Sequence, residues 1–313
     1  MSATPTAVAP ETSRRSLGRS RPRYGEQLIK MLLFAAAALS VFTTIAIVIS
    51  LFPPTIEFFE RVSVVEFFTD TRWTALFQNP HYGVLPLVSA TLQVTFIAML
   101  VAIPLGLLTA IYLSEYAHRR VRAIVKPVLE VLAGIPTVVF GFFALKALTP
   151  WLQGVLPFNM ETFNVFSAGV IVGVMIIPTV ASLSEDAMAA VPHALRDGGF
   201  ALGSSPMIVS LRIVLPAALS GVVAAIVLAV SRAIGETMIV VLASGLKDAW
   251  TWNPFEAGMT MTGYIASAGS GDLGTASFEY RTIFAVGGVL FVITFFMNLL
   301  SIRLVRKFRE VYE

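Results

Sequence analysis

Apolar residues in this chain come in long unbroken runs. They extend from about Leu28 to Leu51, Leu85 to Leu113, Pro127 to Leu148, Val165 to Leu183, Ala217 to Ala243 and Thr282 to Ile302. A helix needs about 20 apolar residues to cross a ~30 Å hydrocarbon core, and each run reaches or approaches that length. The pattern predicts an all-α, polytopic integral membrane protein with six transmembrane helices across residues 28–302. The first run is too long for the 7 to 15 apolar residues, roughly, of a cleavable signal peptide and is followed by Phe52-Pro53-Pro54, so it reads as a retained helix ending there. Pro86, Pro104, Pro136 and Pro178 fall inside runs and predict tilts or kinks.

The polar segments divide into two kinds. Residues 1–27 are rich in Ala, Pro, Ser, Thr and Arg without apolar periodicity, which predicts a disordered basic tail. Residues 52–84 and 244–281 are long loops with both signs of charge, the first turning at Asn79-Pro80-His81-Tyr82-Gly83, and residues 184–216 form a polar turn region. Of the 22 Lys and Arg residues, 16 fall on segments assigned to one side and 5 on the other, with Lys146 counted among the 5 and Arg232 inside a span. The positive-inside rule then places both termini, including residues 303–313, in the cytoplasm.

Composition agrees and removes several classes. The chain is 56% hydrophobic and 13% charged, against about 25% charged for soluble domains. Its basic residues lie beside apolar runs and not along one face, so nucleic acid is not an expected partner; the lipid bilayer is. With no cysteine, disulfides, thiolate metal sites and cysteine nucleophiles are excluded, and the histidines at 81, 118 and 193 are too scattered to suggest a metal site. No cofactor is implied. Gly269-Ser270-Gly271-Asp272-Leu273-Gly274 matches a dinucleotide fingerprint by letters only, since no strand or βαβ unit surrounds it. There is no P-loop, so any ATP hydrolysis belongs to another subunit.

Within the fifth run stand Arg232 and Glu236. Spaced four apart, they fall on one face if the helix is continuous, with Arg232 roughly 15 residues, or ~22 Å, into the membrane. A charge near the centre of a span costs about 2.5 to 3.5 kcal/mol on insertion scales. Two readings fit: an ion pair pinning two helices, or an anion path in which the guanidinium forks onto a tetrahedral oxyanion. In the second reading Glu236 keeps the anion from being trapped, or accepts a hydrogen bond from an anion still protonated at neutral pH, which favours phosphate over sulfate. Glu130, near the end of its run, reads as an interfacial residue.

The polar turn region narrows these readings. Asp197-Gly198-Gly199, three residues, Gly203, nine residues and Ile213-Val214-Leu215-Pro216 resemble the EAA loop of ABC-importer permeases. In that family the loop forms short helices that dock on the ATPase. The departures are Asp197 for Glu and two glycines for two alanines, each glycine costing about 1 kcal/mol of helix propensity; looser docking, or a helix formed only on contact, is expected. Tyr82-Gly83-Val84-Leu85-Pro86, Leu113-Ser114-Glu115-Tyr116, Leu132 to Gly141, Ser231 to Thr237 and Glu279-Tyr280-Arg281-Thr282 look like the PstC-type permease subunits of phosphate ABC importers. The resemblance covers nearly everything after the tail. It implies a non-catalytic permease with a PstA-like partner, two ABC ATPase subunits and an external phosphate-binding protein. On this resemblance the substrate path comprises Ser231, Arg232, Glu236, Thr237 and Thr137, and ATPase coupling comprises Asp197, Gly198, Gly199, Gly203, Ile213, Leu215 and Pro216. The alternatives are a permease for another oxyanion, such as sulfate or molybdate, and a phosphate-sensing membrane scaffold. A membrane-embedded enzyme is disfavoured by the lack of an intramembrane Asp pair or Ser/His dyad.

Overall fold

The computed structural model describes residues 24–307 other than 158, 249, 272 and 276. Among the described residues the regular structure is helical, apart from one antiparallel bridge between Trp73 and Tyr82. The chain divides into two units between Ser50 and Leu51. The first unit is the leading part of helix α1 (Tyr24–Phe59), an apolar helix with nearly every side chain exposed. Most of the expected tail lies outside the described residues, and residues 24–27 already belong to α1. The helix also passes through Pro53 and Pro54 where the sequence suggested a stop. Its final turns are held by tertiary contacts: Thr55 Oγ1 donates to the Phe284 carbonyl, and Phe58 is fully buried.

The second unit continues with α2 (Val64–Thr69), α3 (Leu85–Ile111), a π turn at Tyr112–Tyr116, α4 (Arg119–Ala133) and α5 (Thr137–Phe143). A second π turn, Ala144–Leu148, joins α5 to α6 (Thr149–Val155); then come α7 (Val165–Ala189), α8 (His193–Ala201) and α9 (Pro206–Val209). A third π turn at Ser210–Val214 leads into α10 (Leu215–Ala217), α11 (Leu219–Ile234), α12 (Met238–Ala243), α13 (Met261–Gly269) and α14 (Phe278–Lys307). Among the described residues five helices are long and apolar enough to cross a membrane: Gly25–Phe59, Leu85–Tyr116, Thr137–Val155, Val165–Ala189 and Phe278–Arg303. Taken together as one span, Pro206–Ala217 and Leu219–Ile234, which meet at 72°, make a sixth.

Two spans differ from expectation. The third does not run from Pro127 to Leu148. The residue before a proline is pushed out of the helical region, so the chain breaks at Gly134-Ile135-Pro136 and the spanning helix covers Thr137–Val155, with Lys146 inside it. Glu130 consequently sits on α4, which has no fully buried residue and is tied to α7 by Arg122 and Lys126 on Glu185 and by Lys126 on Asp186. The fifth span is also discontinuous: α11 ends at Ile234 and a new helix starts at Met238.

The core is built on α3 and α7, which approach so closely that a Cβ on Gly173 would lie 2.7 Å from the Ala98 carbonyl oxygen. Ala102, Val172, Ile176, Ala229 and Ile239 fill the same cluster. At one end, aromatic residues from the two long loops join the ends of α1, α3 and α14. Phe58, Phe67 and Trp73 are buried there, and the Trp73 and Tyr264 rings lie 4.9 Å apart, edge to face. Residues 244–281 are thus no simple loop, because α13 buries Met261 and Tyr264 in this aromatic cap. At the opposite, basic end lie α4 and α8.

Candidate functional site

The break in the fifth span positions the charges. Arg232 occupies the last turn of α11, where the carbonyl ends of the helix favour a cation. Glu236 lies two residues beyond that helix and just ahead of α12, where amide N–H groups favour an anion. Its Oε1 accepts from the Ile239 N–H at 3.3 Å, and its own carbonyl accepts from Thr262 Oγ1 at 2.6 Å. Glu236 is only 8% exposed. Because the helix is interrupted, the expected shared face of Arg232 and Glu236 does not exist, and no ion pair joins them among the described residues.

Arg232 instead reaches Thr179 on α7, its Nη1 donating to Oγ1 at 3.1 Å. Both residues are half-buried. Depth follows from helix geometry. The Asn164 N–H donates to the Ala243 carbonyl, which sets the start of α7 level with the end of α12. Thr179 lies about 14 residues, or ~21 Å, along α7 from that level, and Glu236 about 7 residues, or ~10 Å, before the end of α12. The cation and carboxylate are therefore staggered along the membrane normal, and each sits at a helix end of opposite sign.

The other expected path residues gather less tightly. Ser231 Oγ donates to Asn298 Oδ1 of α14 at 3.3 Å, and Thr237 Oγ1 to the Gly235 carbonyl at 3.2 Å. Thr137 begins α5, which lies directly against α12: a Cβ on Gly141 would sit 2.9 Å from Leu242 Cδ1 and 3.3 Å from Ile239 Cα. No described hydrogen bond joins Thr137 to Arg232 or Glu236. The breaks before α5 and α12 nevertheless fall on adjoining helices. Thr179 and Thr262 were missed by the sequence reading. Thr179 follows the noted Pro178, but nothing in the sequence marks a hydroxyl there as the partner of an arginine 53 residues away.

The polar turn region forms an elbow. Despite two glycines α8 is a complete helix in this chain alone, contrary to the expectation that it forms only on contact. Packing supplies the reason: Gly199 is buried so tightly that a Cβ would meet Ile213 Cδ1 at 2.6 Å. Gly203, at φ +77°, takes the left-handed conformation that ends α8. Asp197 and Gly198 face outward, and Leu215 and Pro216 form α10 ahead of the bend at Ala218. Around the elbow Leu202 (87% exposed), Met207 and Phe200 leave apolar surface open.

Residues 102–310 match the family described as binding-protein-dependent transport system inner membrane component. The chain is 35% identical over 285 residues to a probable ABC transporter permease, YqgH, of Bacillus subtilis, covering 90% of this chain and 91% of that one. It is 31% identical to the phosphate transport system permease protein PstC of Xylella fastidiosa, covering 97% and 99%. Among solved structures it resembles a chain of a bacterial alginate ABC transporter crystallised in complex with an alginate pentasaccharide-bound periplasmic protein. That match has a TM-score of 0.59 at 17% identity, covering 91% of this chain and 99% of the other, and it supports the fold alone.

Proposed function

The chain belongs to the inner membrane components of binding-protein-dependent transport systems, and from that premise we propose that it is the permease subunit of an ATP-driven phosphate importer. It is a multi-pass membrane protein and not itself an ATPase. It forms half of a translocation pathway, with a PstA-like permease forming the other half, two ABC ATPase subunits beneath and a phosphate-binding protein outside. The basic end, with α4 and α8, is cytoplasmic, and both termini lie on that side.

The observation that carries this reading is the interrupted fifth span with Arg232 at its break. Discontinuous membrane helices place backbone dipoles and charges at mid-depth, where a dehydrated anion needs them. Arg232 spends one described hydrogen bond on Thr179 and retains guanidinium donors for a phosphoryl oxygen. Glu236 lies shallower, so phosphate entering from outside passes the carboxylate before the cation; a monoprotonated anion can donate a hydrogen bond to it. Ser231, Thr237 and Thr137 supply hydroxyls along the same route. The binding protein docks on the aromatic cap, whose polar cleft of about 810 Å³ is lined by Arg72, His81 and Asp248 among others. The ATPase docks on the elbow, against outward-facing Asp197 and Gly198 and the apolar surface around Leu202. Gly199, Ile213 and Gly203 hold the shape of that elbow, and Leu215 and Pro216 carry its movement into α11.

Uptake by the full assembly in proteoliposomes tests substrate identity. Phosphate should accumulate with ATP and compete poorly with sulfate or molybdate; equal uptake of sulfate would assign the path to another oxyanion. The proton-accepting role of Glu236 predicts that Glu236→Gln alters the pH dependence of uptake. An unchanged profile would restrict that carboxylate to capping α12.

A further inference from the structure

Arg196, on α8, is bonded to two other elements at once. Its Nε and Nη2 donate to Glu115 Oε2 at 3.3 Å and Oε1 at 3.0 Å, in the π turn that ends α3. Nη2 also donates to the Met188 carbonyl at 2.8 Å, and Nη1 to the Val191 carbonyl at 2.6 Å, both at the end of α7. The guanidinium side chain is 12% exposed and the Glu115 carboxylate 9%. A planar fork is well suited to this arrangement, since it can bond a carboxylate bidentately while its remaining N–H groups cap the negative end of a helix.

From this geometry we infer that Arg196 is a positioning residue through which movement of α8 is transmitted directly to α3 and α7. The inference rests on the importer reading above. It adds side-chain ties to the two covalent routes out of α8, one of which is the three-residue link back to α7 through residues 190–192. The covalent route towards α11 passes through Gly203, the most permissive backbone position in the elbow, then α9, a π turn and the 72° bend before α11. A push on α8 can dissipate at each of these joints. The route through Arg196 has no such joint: it acts on the end of α7, and about nine residues along that rigid helix, ~13 Å away, lies Thr179, the partner of Arg232. Displacement of α8 thereby reaches the hydroxyl that orients the half-buried cation. Glu115 adds α3, the close-packed neighbour of α7, so that the two helices move as one body.

The test uses the complete assembly in proteoliposomes, with phosphate uptake and ATP hydrolysis recorded on the same samples for wild type, Arg196→Gln, Arg196→Lys and Glu115→Gln. Losing a bidentate charged contact should lower phosphate moved per ATP by about tenfold in Arg196→Gln, while hydrolysis stays within about twofold. Arg196→Lys, a point charge without the fork, should fall between. Glu115→Gln leaves Arg196 on the α7 carbonyls and should also lower the ratio; it decides the matter if Arg196→Gln cannot be recovered as an assembly. A ratio equal to wild type, or uptake and hydrolysis falling in parallel, would overturn the role. Failure of the importer reading is a separate outcome: wild type itself would then take up no phosphate.

Discussion

The two ends of the molecule are held together by different forces. At the aromatic cap, Phe58, Phe67, Trp73, Tyr82, Tyr264 and Phe278 interlock, mostly edge to face, and the two long loops exchange backbone hydrogen bonds such as Trp73 N–H to the Asp248 carbonyl. At the basic end a smaller apolar cluster around Met188, Val191, Val209 and Val214 is supplemented by ion pairs: Arg196 on Glu115, and Arg122 and Lys126 on Glu185. Dispersion contacts among large rings are numerous and fall off steeply with distance, so they resist any rearrangement. A few directional charged contacts fix a register yet let rigid elements swing about them. The cap is suited to be a stationary platform, and the basic end a moving lever.

Trp73→Ala should give the largest effect. Truncating a ring 1% exposed costs about 3 to 5 kcal/mol, and the loss of thermal stability should be accompanied by loss of the binding-protein docking surface. If the variant melts as wild type, the cap is not the platform. Gly203→Ala should act on the other end and by less, about 1 to 2 kcal/mol, since a Cβ is strained at φ +77°. Its signature is weaker ATPase association with docking of the binding protein unchanged; equal damage to both would erase the contrast.

Asp70→Asn should have the smallest effect. Burial opposes ionisation of Asp70, but the hydrogen bond with His81, the backbone N–H groups of Arg72 and Thr71 and the His81 charge together hold its pKa below the ordinary 3.8. A carboxylate with a depressed folded pKa contributes stability that is fully present above its unfolded value and is lost as pH falls through the folded one. The part of the gap between wild type and Asp70→Asn that depends on the carboxylate should therefore be no more than about 1 kcal/mol for a partly exposed pair and be lost only below pH 3.8. A gap that does not close as pH falls below 3.8 would contradict the carboxylate's contribution.

The sequence revealed the crossings and the elbow because hydrocarbon demands long apolar runs and the coupling motif is local in the chain. It concealed the break at Gly235-Glu236-Thr237. Ile234 and Met238-Ile239-Val240-Val241-Leu242 continue the hydropathy on both sides, and the bonds that accompany the interruption come partly from Thr262, far along the chain. The proline at 136 was visible but read as a kink inside a span, when it begins one. The glycines of α8 argued against a stable helix. Contact of Gly199 with Ile213 and the four hydrogen bonds of Arg196 outweigh that local preference. In each case the missing information was tertiary.

Arg232, at the interrupted fifth span, is proposed to lie on the phosphate path. The direct measurement is phosphate uptake by the reconstituted assembly with Arg232→Gln, recorded together with ATP hydrolysis. Hydrolysis retained while uptake falls by at least about tenfold is the predicted result, as removing one charged transition-state or binding contact implies. Uptake at the wild-type rate would contradict the claim and leave Arg232 as a structural tie between α11 and α7.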